Sequence, residues 1–212
     1  MKKTNFRDWT IEKIEECFNL KQVFKHPLLQ RLRDFEYQLS EFEKYYLESL
    51  QENYVLYGGE DWNEAELESK FISPLIVSSK IDNHTFSYFL ERDLSATIDD
   101  YELVGKVDGM VATGFRRPKK PYFCIHEYKK ESDPSGDPRG QVLIAMLVAQ
   151  EMNQDGKPIY GLYVVGKVWR FIVLTGKNYS FSKTYVADEE DIFLIFKVLK
   201  ALRYEIEQMI KN

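Results

Sequence analysis

The chain holds only two cysteines, Cys17 and Cys124, far apart and without the C-x-x-C spacing of a metal or redox motif. That excludes a disulfide framework and a cysteine-built zinc site, and a reduced, cytoplasmic setting is expected. No apolar run approaches membrane-spanning length, and the start, Met1-Lys2-Lys3-Thr4-Asn5-Phe6-Arg7-Asp8-Trp9, lacks the apolar stretch of a secretion signal. A soluble protein with no membrane partner is the expectation. There is no internal repeat, no low-complexity segment and no Walker-type phosphate loop, so ATP-driven motor activity is excluded for this polypeptide alone. Positive charge is also scarce. With 29 Lys and Arg against 34 Asp and Glu, the net charge is −5, which disfavours non-specific wrapping of nucleic acid.

What is present is enough for one sizeable core: 212 residues, 44% of them hydrophobic. The expectation is a helical N-terminal extension over residues 1–59 and an α/β domain over 60–212. Ile11, Ile14 and Phe18, then Leu28, Leu29, Leu32 and Phe35 after Pro27, recur at helical spacing. Leu39, Phe42, Tyr46, Leu50 and Tyr54 continue it until Gly58-Gly59. Asp61-Trp62-Asn63 opens another helix, with Leu67, Phe71, Ile72, Leu75 and Ile76 on one face, Glu66 pointing away and a kink at Pro74. The period then changes, and aromatic and β-branched runs predict strands over 85–91, 101–113 and 121–130. A loop over 132–139 leads to a helix over 141–152 that is apolar on nearly every side and must be covered on more than one face. Strands over 159–165, 169–174 and 179–185 follow, joined by turns at Gly166-Lys167 and Gly176-Lys177. Asp188-Glu189-Glu190-Asp191 starts a last helix carrying Ile192, Ile195, Phe196, Leu199 and Leu202. The fold class is α/β, a mixed central sheet flanked by helices.

The chemistry-bearing strings are Gly105-Lys106-Val107-Asp108-Gly109 and Phe123-Cys124-Ile125-His126-Glu127-Tyr128-Lys129. Carboxylates on neighbouring strands, Asp108 and Glu127, can share a hard divalent cation, and Lys129 leaves the same strand face as Glu127. Phe123, Ile125, Glu127 and Lys129 are expected on one face, apolar first and charged at its end, as at the rim of a core. Alternating charge by itself is common on solvated strands; the apolar Phe123 and Ile125 set this face apart. Gly105 and Gly109 let backbone or substrate approach Asp108. An ammonium beside two carboxylates stays protonated, so Lys129 reads as an electrostatic group rather than a base.

Glu64 and Glu68 both fall near the apolar face of their helix, Glu68 closer to its centre, and geometry leaves the choice open; Glu64 also answers the helix dipole. Gln141 reads equally as a polar group at a helix N-terminus that attracts anions and as a plain helix-start residue. His126 falls on the opposite strand face, as a packed histidine. Arg116, Arg117, Lys119 and Lys120 precede the Glu127 strand, and with Lys130, Arg139, Lys167 and Lys177 they are candidates for phosphate contact, although a solvated loop needs none.

The order helix, three strands, helix, strand, with Asp108 followed by Glu127-Tyr128-Lys129, resembles the PD-(D/E)XK nuclease superfamily, the restriction-endonuclease-like proteins, over roughly residues 61–165. Residues 63–76 look like the first core helix of the nuclease domain of type I restriction enzyme motor subunits, which makes Glu64 the helix carboxylate. Gln141 is similar to the glutamine that follows E-x-K in many branches. The resemblance implies a Mg²⁺-dependent endonuclease, with Mn²⁺ able to substitute. Asp108, Glu127 and the Tyr128 carbonyl would be metal ligands, Glu64 would hold the outer shell or a second ion, and Lys129 would orient the nucleophile and offset charge growing on the phosphoryl oxygens. DNA is the expected partner, with RNA open, in restriction or repair, and a homodimer would serve double-strand cleavage. The alternative is a catalytically silent module of the same fold acting as a protein-interaction scaffold, which the acidic balance and the N-terminal helices favour.

Overall fold

A computed structural model describes residues 1–131 and 136–211. Residues 132–135 of the expected loop lie outside the described residues. In chain order the elements are β1 (Lys2–Asn5), a 3-10 turn (Phe6–Asp8), α1 (Ile11–Phe18), β2 (Lys21–Gln22), α2 (Pro27–Arg33), α3 (Glu41–Leu56), a second 3-10 turn (Gly59–Asp61), α4 (Glu64–Leu67), a π-turn (Glu68–Ile72) and α5 (Ser73–Ser78). Then come β3 (Phe86–Ile98), β4 (Tyr101–Thr113), β5 (Lys119–Lys129), α6 (Pro138–Asn153), β6 (Ile159–Val165), β7 (Val168–Thr175), β8 (Asn178–Phe181), β9 (Tyr185–Val186) and α7 (Asp191–Lys211).

The strands form one mixed sheet in the order β1-β4-β5-β6-β7-β8-β2, with β3 on the other edge of β4 and β9 on β7. The pairs β1–β4, β5–β6 and β2–β8 are parallel and the others antiparallel. Helices cover both faces. On one, α6 and α1 pack with Ile125, Tyr163, Ile172 and Tyr179. On the other, the segments around α3, α5 and α7 pack with Cys124, Leu162, Val164, Trp169 and Phe171. Residues 142–149 of α6 are all buried, as a helix apolar all round requires.

Four features depart from expectation. The first 59 residues are not wholly helical, because β1 and β2 join the sheet. Both are short and polar, Lys2-Lys3-Thr4-Asn5 and Lys21-Gln22, without the alternation that marks a strand; their partners on β4 and β8 supply the order. The strand expected over 85–91 runs on to Ile98, past a left-handed Glu91 (φ 53°) that interrupts but does not end it. The strand expected over 179–185 is two, β8 and β9, both paired to β7 but at opposite ends of that strand. The helix with Pro74 is relieved before the proline: Ser73 N–H reaches back five residues to the Glu68 carbonyl, forming the π-turn just where Pro74 can donate nothing.

Candidate active site

The edge of β4 that carries Asp108 is divided between two partners. Residues 101–104 pair with β1, and the β5 ladder begins at Gly109 opposite His126. The intervening residues 105–108 form a fork, with Asp108 at its β5 side. Beyond the last ladder pair the Tyr128 N–H has no strand partner on β4, and Asp108 Oδ2 accepts it at 2.6 Å. Gly105 closes the other side of the fork: a Cβ there would meet the Phe6 ring at 2.3 Å, so only glycine lets that ring lie against the strand.

A register shift between Val111 and Ala112 leaves Phe123 as the extra residue of β5. Phe123 therefore packs with Cys124 and Tyr128 on one sheet face while Ile125 packs on the other, which corrects the expectation that Phe123, Ile125, Glu127 and Lys129 share a face. Ile125, Glu127 and Lys129 retain their alternation. Glu127 and Lys129 are 5% and 8% exposed, and Lys129 Nζ lies 2.9 Å from Glu127 Oε1 and 3.7 Å from Glu64 Oε1. The α4 end of the helix is held by a capping box between Asn63 and Glu66, which also pairs with Lys70, so Glu66 is occupied locally and Glu64 reaches the sheet.

Three carboxylates thus surround one ammonium, and the charge imbalance shows in their ionisation. Burial, together with repulsion from Asp108, pushes Glu127 up to about 7 against the pull of Lys129. Burial also raises Asp108; the Tyr128 N–H and Lys129 oppose this, while Glu64 and Glu91 add to it. For Lys129 burial favours the neutral amine, but Glu127, Glu64 and Asp108 together outweigh it and the pKa rises. The ammonium is retained, as its surroundings lead one to expect.

Two further carboxylates act on this cluster, Glu68, the alternative to Glu64 on the helix, and Glu91, which sequence reasoning missed. Glu68 is raised by burial and by Asp108 and Glu91. Glu91, on the strand beside Asp108, pairs with Lys106 at 2.8 Å. Both Glu64 and Glu68 therefore turn toward the site, Glu64 to Lys129 and Glu68 to Asp108. Glu91 has no signal in its type or spacing, because its placement depends on a left-handed backbone.

The opposite face of β5 carries a buried polar chain. His126 Nδ1 lies 2.7 Å from the Tyr128 hydroxyl, which lies 2.8 Å from the Tyr88 hydroxyl, while His126 Nε2 is buried without a hydrogen-bond partner among the described residues. His126 is a packed histidine, as its strand phase predicts.

The other candidates are scattered. Gln141 is buried in the first turn of α6, where a Cβ on Gly136 would sit 2.8 Å from its amide nitrogen. No hydrogen bond links it to Asp108, Glu127 or Lys129 among the described residues. Arg116, Arg117, Lys119 and Lys120 are exposed at the start of β5, and from Lys119 to Glu127 the strand runs about 26 Å. The structure does not bring them to the carboxylates. Lys130 directly follows Lys129 and is half-buried, Arg139 lies over the Phe181 ring at 5.2 Å, and Lys167 is engaged by Asp188 at 2.9 Å.

Among the described residues no set of three or more His, Cys, Asp or Glu converges closely enough to hold a metal alone. Asp108 and Glu127 nevertheless suit Mg²⁺: they are neighbouring oxygen donors carrying surplus negative charge, and Mg²⁺ typically takes one or two carboxylates and fills its shell with water and substrate oxygens. Comparison of the chain with protein-family models and with curated proteins gives no match.

Proposed function

We propose that the chain is a metal-dependent phosphodiesterase, an endonuclease of the PD-(D/E)XK type acting on DNA. The observation that carries this reading is the fork on β4, where Asp108 stands beside Glu127 and Lys129 while Glu64 approaches from the helix. Asp108 and Glu127 would hold Mg²⁺, or Mn²⁺ in its place, which when bound supplies Lewis-acid polarisation of the scissile phosphate and a lower pKa for water. Lys129 remains an ammonium and offsets the charge that grows on the phosphoryl oxygens. Glu64 fixes the Lys129 side chain from its exposed side, and the Tyr128 N–H orients Asp108. A restriction or repair setting in the cytoplasm, and a dimer for double-strand cuts, accompany this proposal.

A second reading, a silent scaffold of the same fold, draws on the near-complete burial of Glu127 and Lys129 and on the net charge of −5. Nicking of supercoiled plasmid with Mg²⁺ or Mn²⁺ decides between them. The nuclease reading expects Asp108→Ala and Lys129→Ala to lower the rate by about 10²–10³-fold. Wild type as inert as both variants, on DNA and RNA alike, supports the scaffold.

A further inference from the structure

The sheet has a second site-like feature at the same end as Glu127 and Lys129. Strands β5 and β6 are parallel, β7 reverses, and β8 reverses again, so β8 points the same way as β5, three strands or about 14 Å to the side, and its last residue, Phe181, lies level with Ile125, two residues before Glu127. Beyond β8 and its parallel neighbour β2 lies an open cleft of about 420 Å³, between the β2–α2 connection and the β8–β9 connection. Its lining includes Lys25, Arg33 and Lys183 and no carboxylate, a concentration of positive charge on an acidic protein. Arg33 and Lys183 each have an acid just outside it, Asp34 at 2.7 Å and Asp191 at 3.4 Å, while Lys25 makes no ion pair among the described residues. Phe24 on the rim is 87% exposed, too bare for a core residue. On the floor, Ser180 is 1% exposed and its hydroxyl has no hydrogen-bond partner among the described residues. A buried hydroxyl without a partner is costly and calls for one.

We infer that this cleft binds a segment of single-stranded nucleic acid, its phosphates on Lys25, Arg33 and Lys183 and a base against Phe24. Cationic side chains beside a bare aromatic ring match the two demands of such a strand, charge neutralisation and stacking. Two further guanidinium groups lie against the Phe181 ring of its wall, Arg170 at 5.1 Å, which also donates to the Ser182 carbonyl, and Arg139, on the first turn of α6, at 5.2 Å. This rests on the nuclease reading for its purpose, as a hold on the strand a few nucleotides from the cut, but not for its test.

Binding of a fluorescent oligothymidylate of about ten nucleotides, read by anisotropy in EDTA so that cleavage cannot intervene, examines the cleft directly. The combined variant Lys25→Ala, Arg33→Ala, Lys183→Ala is expected to bind at least about tenfold more weakly, with a salt dependence flatter by about 2 in log–log slope, at about 0.7 per phosphate. Phe24→Ala, on an exposed side chain, is expected to lose about tenfold without a change of slope. Oligothymidylate that fails to bind wild type at low salt, or that binds the triple variant equally well, overturns the inference. So does polyglutamate binding as tightly as oligothymidylate with Phe24→Ala without effect on either, which marks a general anion patch. Metal-dependent cleavage with an indifferent cleft sinks this inference alone; cleft-dependent binding without cleavage sinks the nuclease reading alone.

Discussion

His126 offers a direct test of the buried polar chain behind the site. Burial alone holds its imidazole neutral, lowering its pKa from 6.5 to about 3, and among the described residues its Nε2 has no partner to share a proton with. The unfolded chain takes up that proton readily and the folded chain does not. Because the folded pKa is depressed, the contribution to stability is complete above about pH 6.5 and is lost progressively as pH falls toward 3. Between pH 6.5 and pH 5 the loss is about 1.5 pH units at 1.36 kcal/mol each, or about 2 kcal/mol. In a chain of this size that corresponds to roughly 4–8 °C in melting temperature. His126→Phe fills similar space and cannot titrate, although it gives up the contact with the Tyr128 hydroxyl, which keeps Tyr88. Urea unfolding of both proteins in chelator, at half-unit steps from pH 8 to pH 5, isolates the effect, since every other titrating group is common to the two. The stability difference is expected to move by about 2 kcal/mol in favour of the variant as pH falls. A difference constant across that range refutes the argument that the imidazole is buried and neutral.

Glu127 has the opposite sign. Its folded pKa of about 7 stands above the ordinary 4.5, so in chelator its contribution is present below pH 4.5 and lost as pH rises through 7, and Glu127→Gln is expected to flatten that part of the profile in urea unfolding. At pH 8, millimolar Mg²⁺ is expected to raise the melting temperature of wild type but not of Glu127→Gln, as binding to the folded state alone requires. Gly105→Ala drives a Cβ into the Phe6 ring and is expected to cost about 1–3 kcal/mol, with hydrogen exchange rising first in β1 and the Phe6–Asp8 turn.

The parts of the fold that follow a local period could be read from sequence. The heptad-like run from Leu39 to Tyr54, the all-round apolar α6 and the aromatic strands needed no partner to declare themselves. What was hidden depends on partners. Lys2-Lys3-Thr4-Asn5 becomes a strand only against β4, and the phase of Phe123 depends on one extra residue in β5. Within the candidate site, Asp108, Glu127 and Lys129 were legible because strand alternation projects onto sequence, and Glu127 with Lys129 keeps it. Glu68 was legible only as one of two glutamates that satisfy the same helical pattern, and Glu91 was not, because it points as it does through a backbone conformation that side-chain type does not encode. Arg116, Arg117, Lys119 and Lys120 precede β5 in sequence, but the strand carries its two ends apart, so they stand about a strand's length from the carboxylates.

The divided edge of β4 has a consequence for the order of events in folding. Lys2 pairs with Tyr101, so the two strands that meet on this side of the fork lie about a hundred positions apart in the chain. Loop-closure entropy and the slowness of non-local pairing place the docking of β1 late, after the β3–β4 hairpin, joined by a two-residue turn, has formed locally. On a growing chain β1 must wait, unpaired, until β4 emerges. Asp108 and Glu127 lie on strands that pair locally, so β1 and the Phe6 ring close the fork around carboxylates already side by side.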